Sequence, residues 1–189
     1  MFDDTAVTVY QAYGAEIAEA AVAAGRFVPP FSLGRMTWIK PSFLWMMYRC
    51  GWATKPGQEH VLAIQMKRSG FEEALAAGVL SHFDASQYSS ESEWKRRLAE
   101  SPVRVQWDPE RTVTGAPLPH RSLQVGLAGW ATRRYVDEWV VGVTDITEMV
   151  HEIHYSAATN ASVLPKEREY PLQLGTAAVL GATDLGADG

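Results

Sequence analysis

RMTWIKPSFLWMMYRCGW, residues 35–52, sets three tryptophans, three methionines and three cationic side chains within one short stretch. Pro41 suits the first position of a helix, where its missing N–H would have had no partner in any case. Gly51 stands where a helix stop belongs. At a pitch of 3.6, residues 41–50 put Phe43, Met46, Met47 and Cys50 on one side and Leu44, Trp45 and Tyr48 beside them. A helix apolar nearly all round is predicted to be buried. RMTWI (35–39) alternates as a strand, with Met36 and Trp38 opposite Arg35, Thr37 and Ile39.

Packing accounts for the middle of this stretch and leaves its rim: Arg35, Thr37, Lys40, Ser42 and Arg49. Thr37 and Ser42 are hydroxyls near a helix N-terminus, where free N–H groups and the helix dipole attract anions. The rim therefore reads as a place for a phosphate or nucleotide with its base stacked on Trp38. The competing reading is that Lys40 and Arg49 carry their charges from a core helix out to solvent.

The pattern continues outward as interleaved strands and helices. VTVYQAY (7–13) is β-branched and aromatic, with Val7, Val9, Gln11 and Tyr13 on one face. GAEIAEAAVAAG (14–25) is a helix ending at Gly25. KPGQ (55–58) is a turn into VLAIQMK (61–67), a predicted central strand, and GFEEALAAG (70–78) is a short helix between glycines. SSESEWKRRLAES (89–101) is a polar helix with Glu91–Lys95 and Glu93–Arg97 pairs in the favourable order. PVRVQWDPE (102–110) is a strand predicted to end in an Asp-Pro turn. APLPHRSLQVGL (116–127) becomes a strand near Ser122. A helix around 130–136, a strand over 138–146 and a helix over 147–155 follow. The elements lack a regular βαβ period, which favours a single α+β domain over residues 1–173. From Leu174 the chain loses its aromatics and is predicted to be a disordered or loosely docked tail.

Composition limits the function classes. The chain has 189 residues, 47% of them hydrophobic, and a net charge of −5, which is no footprint for duplex binding. Residues 26–68 nonetheless hold seven Lys or Arg against one acid, Glu59, a positive face suited to a phosphate-bearing ligand. No apolar run is long enough for a membrane span, the N-terminus is acidic, and the lone Cys50 cannot form an internal disulfide. A cytoplasmic protein with a buried, inert thiol is expected.

Other chemistries find little support. HEIH (151–154) has the wrong spacing for a zincin helix, so no metal is expected. Ser32, Ser42, Ser81 and Ser122 sit in no nucleophile motif that would name His82 or His120 as partner. Neither a GxGxxG nor a P-loop occurs. Asp108 and Glu110 are the best-placed carboxylates, read either as site residues at a strand end or as a turn cap beside a solvated acid. Arg121 is either an ion-pair partner or an anion clamp.

VYQAYGAEIAEAAVAAGRF (9–27), the 35–64 segment opening with RMTWIKPSFLWMMYR, SPVRVQWDPER (101–111), PLPHRSLQVGL (117–127) and YVDEW (135–139) together resemble the family known as domain of unknown function 4291, over roughly residues 5–172. That family carries no assigned activity. The order of elements is also similar to ADP-ribosyltransferase-like folds, including the RNA 2′-phosphotransferases. In those folds NAD lies between two sheets, contacted from the first strand, from the start of the second motif and from a late strand. The resemblance implies Gln11 and Tyr13 at the first motif, Thr37, Trp38 and Ser42 at the second, and Gln124 or Arg121 at the last, with Arg35, Lys40 and Arg49 holding phosphates. Gln11 replaces the usual His or Arg, and no glutamate stands on the late strand, which favours phosphate-directed chemistry on RNA over protein modification. The alternative is a non-catalytic module that binds RNA or a protein through an aromatic-basic surface.

Overall fold

A computed structural model describes residues 1–157 and 163–182. The alternating residues of the first strand have two cores to serve. β1 (Ala6–Tyr13) pairs antiparallel with β3 (His60–Lys67), which pairs antiparallel with β7 (Val140–Asp145), so β3 is central in a three-stranded sheet. Val7 and Val9 enter one core with Leu62, Ile64 and Met66, whereas Tyr10 enters a second core on the opposite face with Val61.

A four-stranded sheet has the order β2 (Thr37–Ile39), β6 (Pro117–Leu127), β5 (Val103–Arg111), β4 (Gly78–Leu80), antiparallel except for β4 with β5. Ile39, Val103, Val105, Val125 and Leu127 turn inward to the first core. Among the described residues the two sheets are joined backbone to backbone by an antiparallel bridge between Tyr10 and Lys40, where each N–H donates to the other residue's carbonyl. The architecture is α+β, as predicted.

Helices cover the sheets where the sequence places apolar faces. α1 (Ala15–Ala24) ends at Gly25 with φ +65°, the left-handed turn that glycine adopts without strain. α2 (Phe43–Cys50) ends at Gly51 in the same conformation, and Phe43, Met46, Met47 and Cys50 form the second core, with Trp45 also buried. Cys50 is fully buried, and burial pushes its thiol pKa up, as an inert core thiol requires.

α3 (Arg68–Ala76) carries Gly70 inside it because Trp139 lies against that position, and a Cβ there would fall 2.4 Å from the indole Cγ. α4 (Glu91–Glu100) keeps its Glu91–Lys95 and Glu93–Arg97 pairs. α5 (Gly129–Arg134) runs into a π-helical turn over Tyr135–Trp139, and α6 (Thr147–Ala157) follows β7. No helix among the described residues is long and apolar enough to cross a membrane.

Four local expectations are corrected. Asp108-Pro109 is no turn: β5 continues to Arg111, with Asp108 paired to Ser122 and Pro109 to Arg121. Val105 turns its carbonyl toward the β4 side, so by alternation Pro109 places its missing N–H on that free edge, where a strand tolerates proline. β6 begins at Pro117 rather than near Ser122. Gly78 opens β4 rather than closing a helix. Part of the predicted tail forms α7 (Leu174–Val179), followed by a fully buried Leu180 whose carbonyl accepts from Trp107 Nε1 at 2.8 Å; residues 183–189 lie outside the described residues.

Candidate functional site

Beyond the Tyr10–Lys40 bridge the next ladder step would join Ala12 to Trp38, and the strands part instead. Strand parting leaves the Trp38 carbonyl oxygen without a backbone donor from β1, and side chains satisfy it. Gln11 Nε2 donates to it at 3.2 Å and Lys40 Nζ at 3.3 Å. The junction of the sheets is thus filled by polar side chains rather than by backbone pairing.

Gln11 organises the inner side of the junction. Its Nε2 also lies 2.6 Å from Thr37 Oγ1 and 2.9 Å from the Tyr13 hydroxyl, and its Oε1 accepts from the Tyr135 hydroxyl at 2.8 Å. Gln11 is 3% exposed, Thr37 6% and Tyr135 0%. Tyr13 and Thr37 hydroxyls are 3.1 Å apart. Only one of them can donate to the other, so one hydroxyl hydrogen of this pair has no acceptor among the described residues.

Tyr13 is half-buried and packs edge-on to Phe27 and Phe31. Burial pushes its pKa up to about 12, with a hydrogen bond to Thr37 and the charge of Arg35 acting the other way, so its phenol stays protonated at neutral pH. Arg35 is exposed and close enough to Tyr13 to act on it electrostatically, which puts a cation at the rim of the cluster.

Strand alternation sends the remaining predicted residues elsewhere. Antiparallel partners share a face. The pairs Trp38–Gly126, Arg104–Gly126, Gln106–Gln124 and Asp108–Ser122 therefore define one outer face, opposite Thr37, Ile39 and Val125. Lys40, two residues after Trp38, belongs to it. Lys40 is 6% exposed, lies 5.6 Å from the Trp45 ring centroid, and has no carboxylate within ion-pair distance among the described residues. Burial first, and the like charge of Arg49 second, bring its pKa down to about 8, with Asp108 acting in the opposite direction.

The sequence suggests one constellation of Gln11, Tyr13, Arg35, Thr37, Trp38, Lys40, Ser42, Arg49, Arg121 and Gln124. The structure brings Gln11, Tyr13 and Thr37 together. Trp38, Lys40 and Gln124 lie on the outer face, and side-chain hydrogen bonds from Gln11 and Lys40 meet at the Trp38 carbonyl between the two groups. Arg121 is exposed on the other side of β6 from Gln124, donating to the Trp107 carbonyl at 3.2 Å. Arg49 is exposed and donates to Gln58.

Ser42 and the start of α2 have a different role from the one its position implied. Ser42 Oγ accepts the Trp45 N–H at 3.1 Å, and Glu167 Oε1 accepts the Phe43 N–H at 2.9 Å. The chain's own oxygens thus take donors that the sequence offered to an anion. Glu167 is the residue sequence reading missed here, and Tyr135 the one it missed in the inner cluster. Each lies 124 positions from its partner, and no local pattern joins them.

Glu167 also helps line a cleft of about 240 Å³ with Phe43, Glu110, Arg111 and His120. Neighbours crowding its carboxyl push the pKa up, although the residue as a whole is exposed. His154, of the HEIH segment, stacks on Trp52 with ring centroids 4.5 Å apart.

Two open, mostly antiparallel sheets, with a buried polar cluster at their junction, define the molecule as an α+β protein. The sequence pattern of the family described as Domain of unknown function (DUF4291) matches residues 1–170, and the chain belongs to that family. No curated protein matches it.

Proposed function

We propose that the chain is a nucleotide-binding enzyme of ADP-ribosyltransferase-like fold that takes NAD or a related nucleotide at the junction of its two sheets, acting on RNA or another phosphate-bearing substrate. One observation carries the reading. The first-strand pair Gln11 and Tyr13 meets the second-strand Thr37 in a hydrogen-bonded cluster that retains one hydroxyl donor without an acceptor. A polar group left unpaired in a buried cluster costs stability, and a ligand carbonyl, ribose or phosphate oxygen is the kind of acceptor that relieves the cost.

The residues present fit such a ligand by type. Arg35 supplies a rim cation for a diphosphate, the Tyr13 and Thr37 hydroxyls supply donors, and Tyr13 with Phe31 supplies aromatic surface. NAD would bring the transferable group, while the chain orients it and shields it from water. Gln124 lies on the outer face, so the late-strand position of the resemblance is not filled from there. The third partner in this cluster is Tyr135.

A non-catalytic RNA- or protein-binding module is the second reading. It draws on one fact: among the described residues, no carboxylate hydrogen-bonds to Gln11, Tyr13 or Thr37 that could serve as general base. Calorimetric titration with NAD, ATP and a 2′-phosphorylated oligoribonucleotide separates the two. NAD or ATP heats that vanish in Tyr13→Phe support the enzyme reading. Salt-sensitive oligonucleotide binding alone supports the module, and no heat with any ligand on folded protein defeats both.

A further inference from the structure

We propose that the outer face of β2, β6 and β5 is a second ligand site, shaped for the sugar-phosphate of a ribonucleotide, with Asp108 receiving the vicinal hydroxyls, Lys40 meeting the phosphate and Trp38 offering its ring. The site lies on the opposite face of the sheet from the Thr37 cluster and does not depend on the NAD reading.

Asp108 is held as an acceptor. Gln106 Nε2 donates to its Oδ1 and Gln124 Nε2 to its Oδ2, both at 2.9 Å, and Ser81 Oγ lies 3.4 Å from Gln106 Oε1. Two amides on adjacent strands fix the carboxylate in orientation and leave each oxygen with a further lone pair. A carboxylate so fixed suits a cis-diol, whose two hydroxyls donate in parallel, as acidic residues do toward ribose in nucleotide sites generally.

The same face has an excess of donors. Lys40 is nearly buried, with one side-chain hydrogen bond among the described residues, to a backbone carbonyl; the Trp45 ring lies 5.6 Å from its Nζ, and the indole N–H of that ring is buried without a partner among the described residues. Arg104 Nε, also on this face, is buried without a partner among the described residues. Buried donors without acceptors are costly, and an anionic group rich in oxygen satisfies several at once. Burial lowers the Lys40 pKa, which makes the charge it carries at neutral pH costly, and a bound phosphate would offset that cost.

Trp38 is set as a platform. Its indole lies over Gly126, where a Cβ would come within 3.0 Å of two ring atoms and 2.8 Å of Met36 Sδ. Only glycine lets the ring lie down on the sheet. Half-buried, the ring keeps exposed surface for a base.

Calorimetry with AMP, 2′-deoxy-AMP and an oligoribonucleotide ending in a free cis-diol tests the site, with indole resonances of Trp38 and Trp45 followed by NMR. We expect AMP to bind roughly tenfold or more tightly than its 2′-deoxy analogue, because a site built around a hydroxyl rejects the ligand lacking it. Asp108→Asn should bring that ratio close to one, Thr37→Val should leave it unchanged, and AMP should shift both indole resonances. Tighter binding of the oligoribonucleotide than of AMP assigns the site to an RNA end, and the reverse to a free nucleotide. No AMP binding, equal affinity for the two nucleotides, a ratio that survives Asp108→Asn, or unmoved indole resonances at saturating AMP would overturn the proposal. Failure of NAD to bind with AMP discrimination intact removes the junction reading alone.

Discussion

Gln11 and Lys40 share one acceptor: the side-chain nitrogens of both residues reach the Trp38 carbonyl oxygen, at 3.2 Å and 3.3 Å, from opposite faces of the gap where the two sheets part. One is a neutral amide with its other groups satisfied, the other a nearly buried cation with little else to hold it. The junction is thus hydrogen-bonded on its inner side and electrostatically costly on its outer side. That contrast yields predictions that do not require the ligand to be known.

Replacing Gln11 by Leu keeps the volume and removes the amide. Tyr135 then loses the acceptor for its hydroxyl, and Thr37, Tyr13 and the Trp38 carbonyl lose the amide nitrogen whose two hydrogens they share. Unsatisfied buried groups cost about 1–3 kcal/mol each, and part of that is relieved by local adjustment. Urea unfolding should show a loss of about 2–4 kcal/mol; a loss below about 0.5 kcal/mol would mean that the cluster is not a working part of the fold.

Lys40 gives a pH signature of defined sign. Its folded pKa, about 8, lies below the ordinary 10.5. Below about pH 8 both folded and unfolded chains carry the proton, and the full cost of burying the charge applies. Between about 8 and 10.5 the unfolded chain holds a proton that the folded chain lacks, so stability rises with pH. The full difference corresponds to at most about 3 kcal/mol. Lys40→Met should therefore stabilise the protein at pH 7, by an amount that shrinks as pH rises through this window. Equal stability differences at pH 7 and pH 10 would rule out a buried, strained cation.

Glu167 closes the start of α2 although its carboxyl is crowded. Burial raises its pKa, so in the window just above the ordinary carboxylate value the folded chain holds the proton more tightly than the unfolded chain, and stability falls as pH rises. Glu167→Gln retains an oxygen for the Phe43 N–H without the charge, and thermal melts at pH 7 should show it equal to or more stable than wild type. Glu167→Leu leaves the N–H unpaired and should lose about 0.5–2 kcal/mol.

How much of this was legible in the sequence depended on the distance over which each choice is made. Alternation in VTVYQAY and the stops at Gly25 and Gly51 are local, and they appear where the pattern puts them; the strand-to-helix run at 35–50 appears too, with the strand shortened to Thr37–Ile39 and the helix starting at Phe43 after the Ser42 cap rather than at Pro41. Alternation also separates adjacent residues: Thr37 and Trp38 point to opposite faces of β2 and cannot face one ligand from within that strand. Asp108-Pro109 misled because a proline on a free strand edge looks, in sequence, the same as one in a turn. Closure of the α2 start by Glu167 and of the Gln11 amide by Tyr135 rests on contacts made only after the chain has folded back on itself.

Gly126→Ala tests the tight packing beneath Trp38. A methyl group there meets Met36 and the indole at or below 3.0 Å, so the ring must lift. Overpacking of this kind costs about 1–3 kcal/mol. Near-UV circular dichroism should change in the tryptophan region along with that loss, and an unchanged spectrum with unchanged stability would mean that the ring does not rest on the sheet.

Titration of NAD into wild-type protein and into Thr37→Val addresses the central claim most directly, because the substitution removes one hydroxyl from the junction while keeping its shape. The account predicts measurable binding to wild type and an affinity roughly tenfold weaker in the variant, the size of one lost hydrogen bond of about 1.4 kcal/mol, with both proteins folded. Equal affinities, or no binding to the folded wild type, would contradict it.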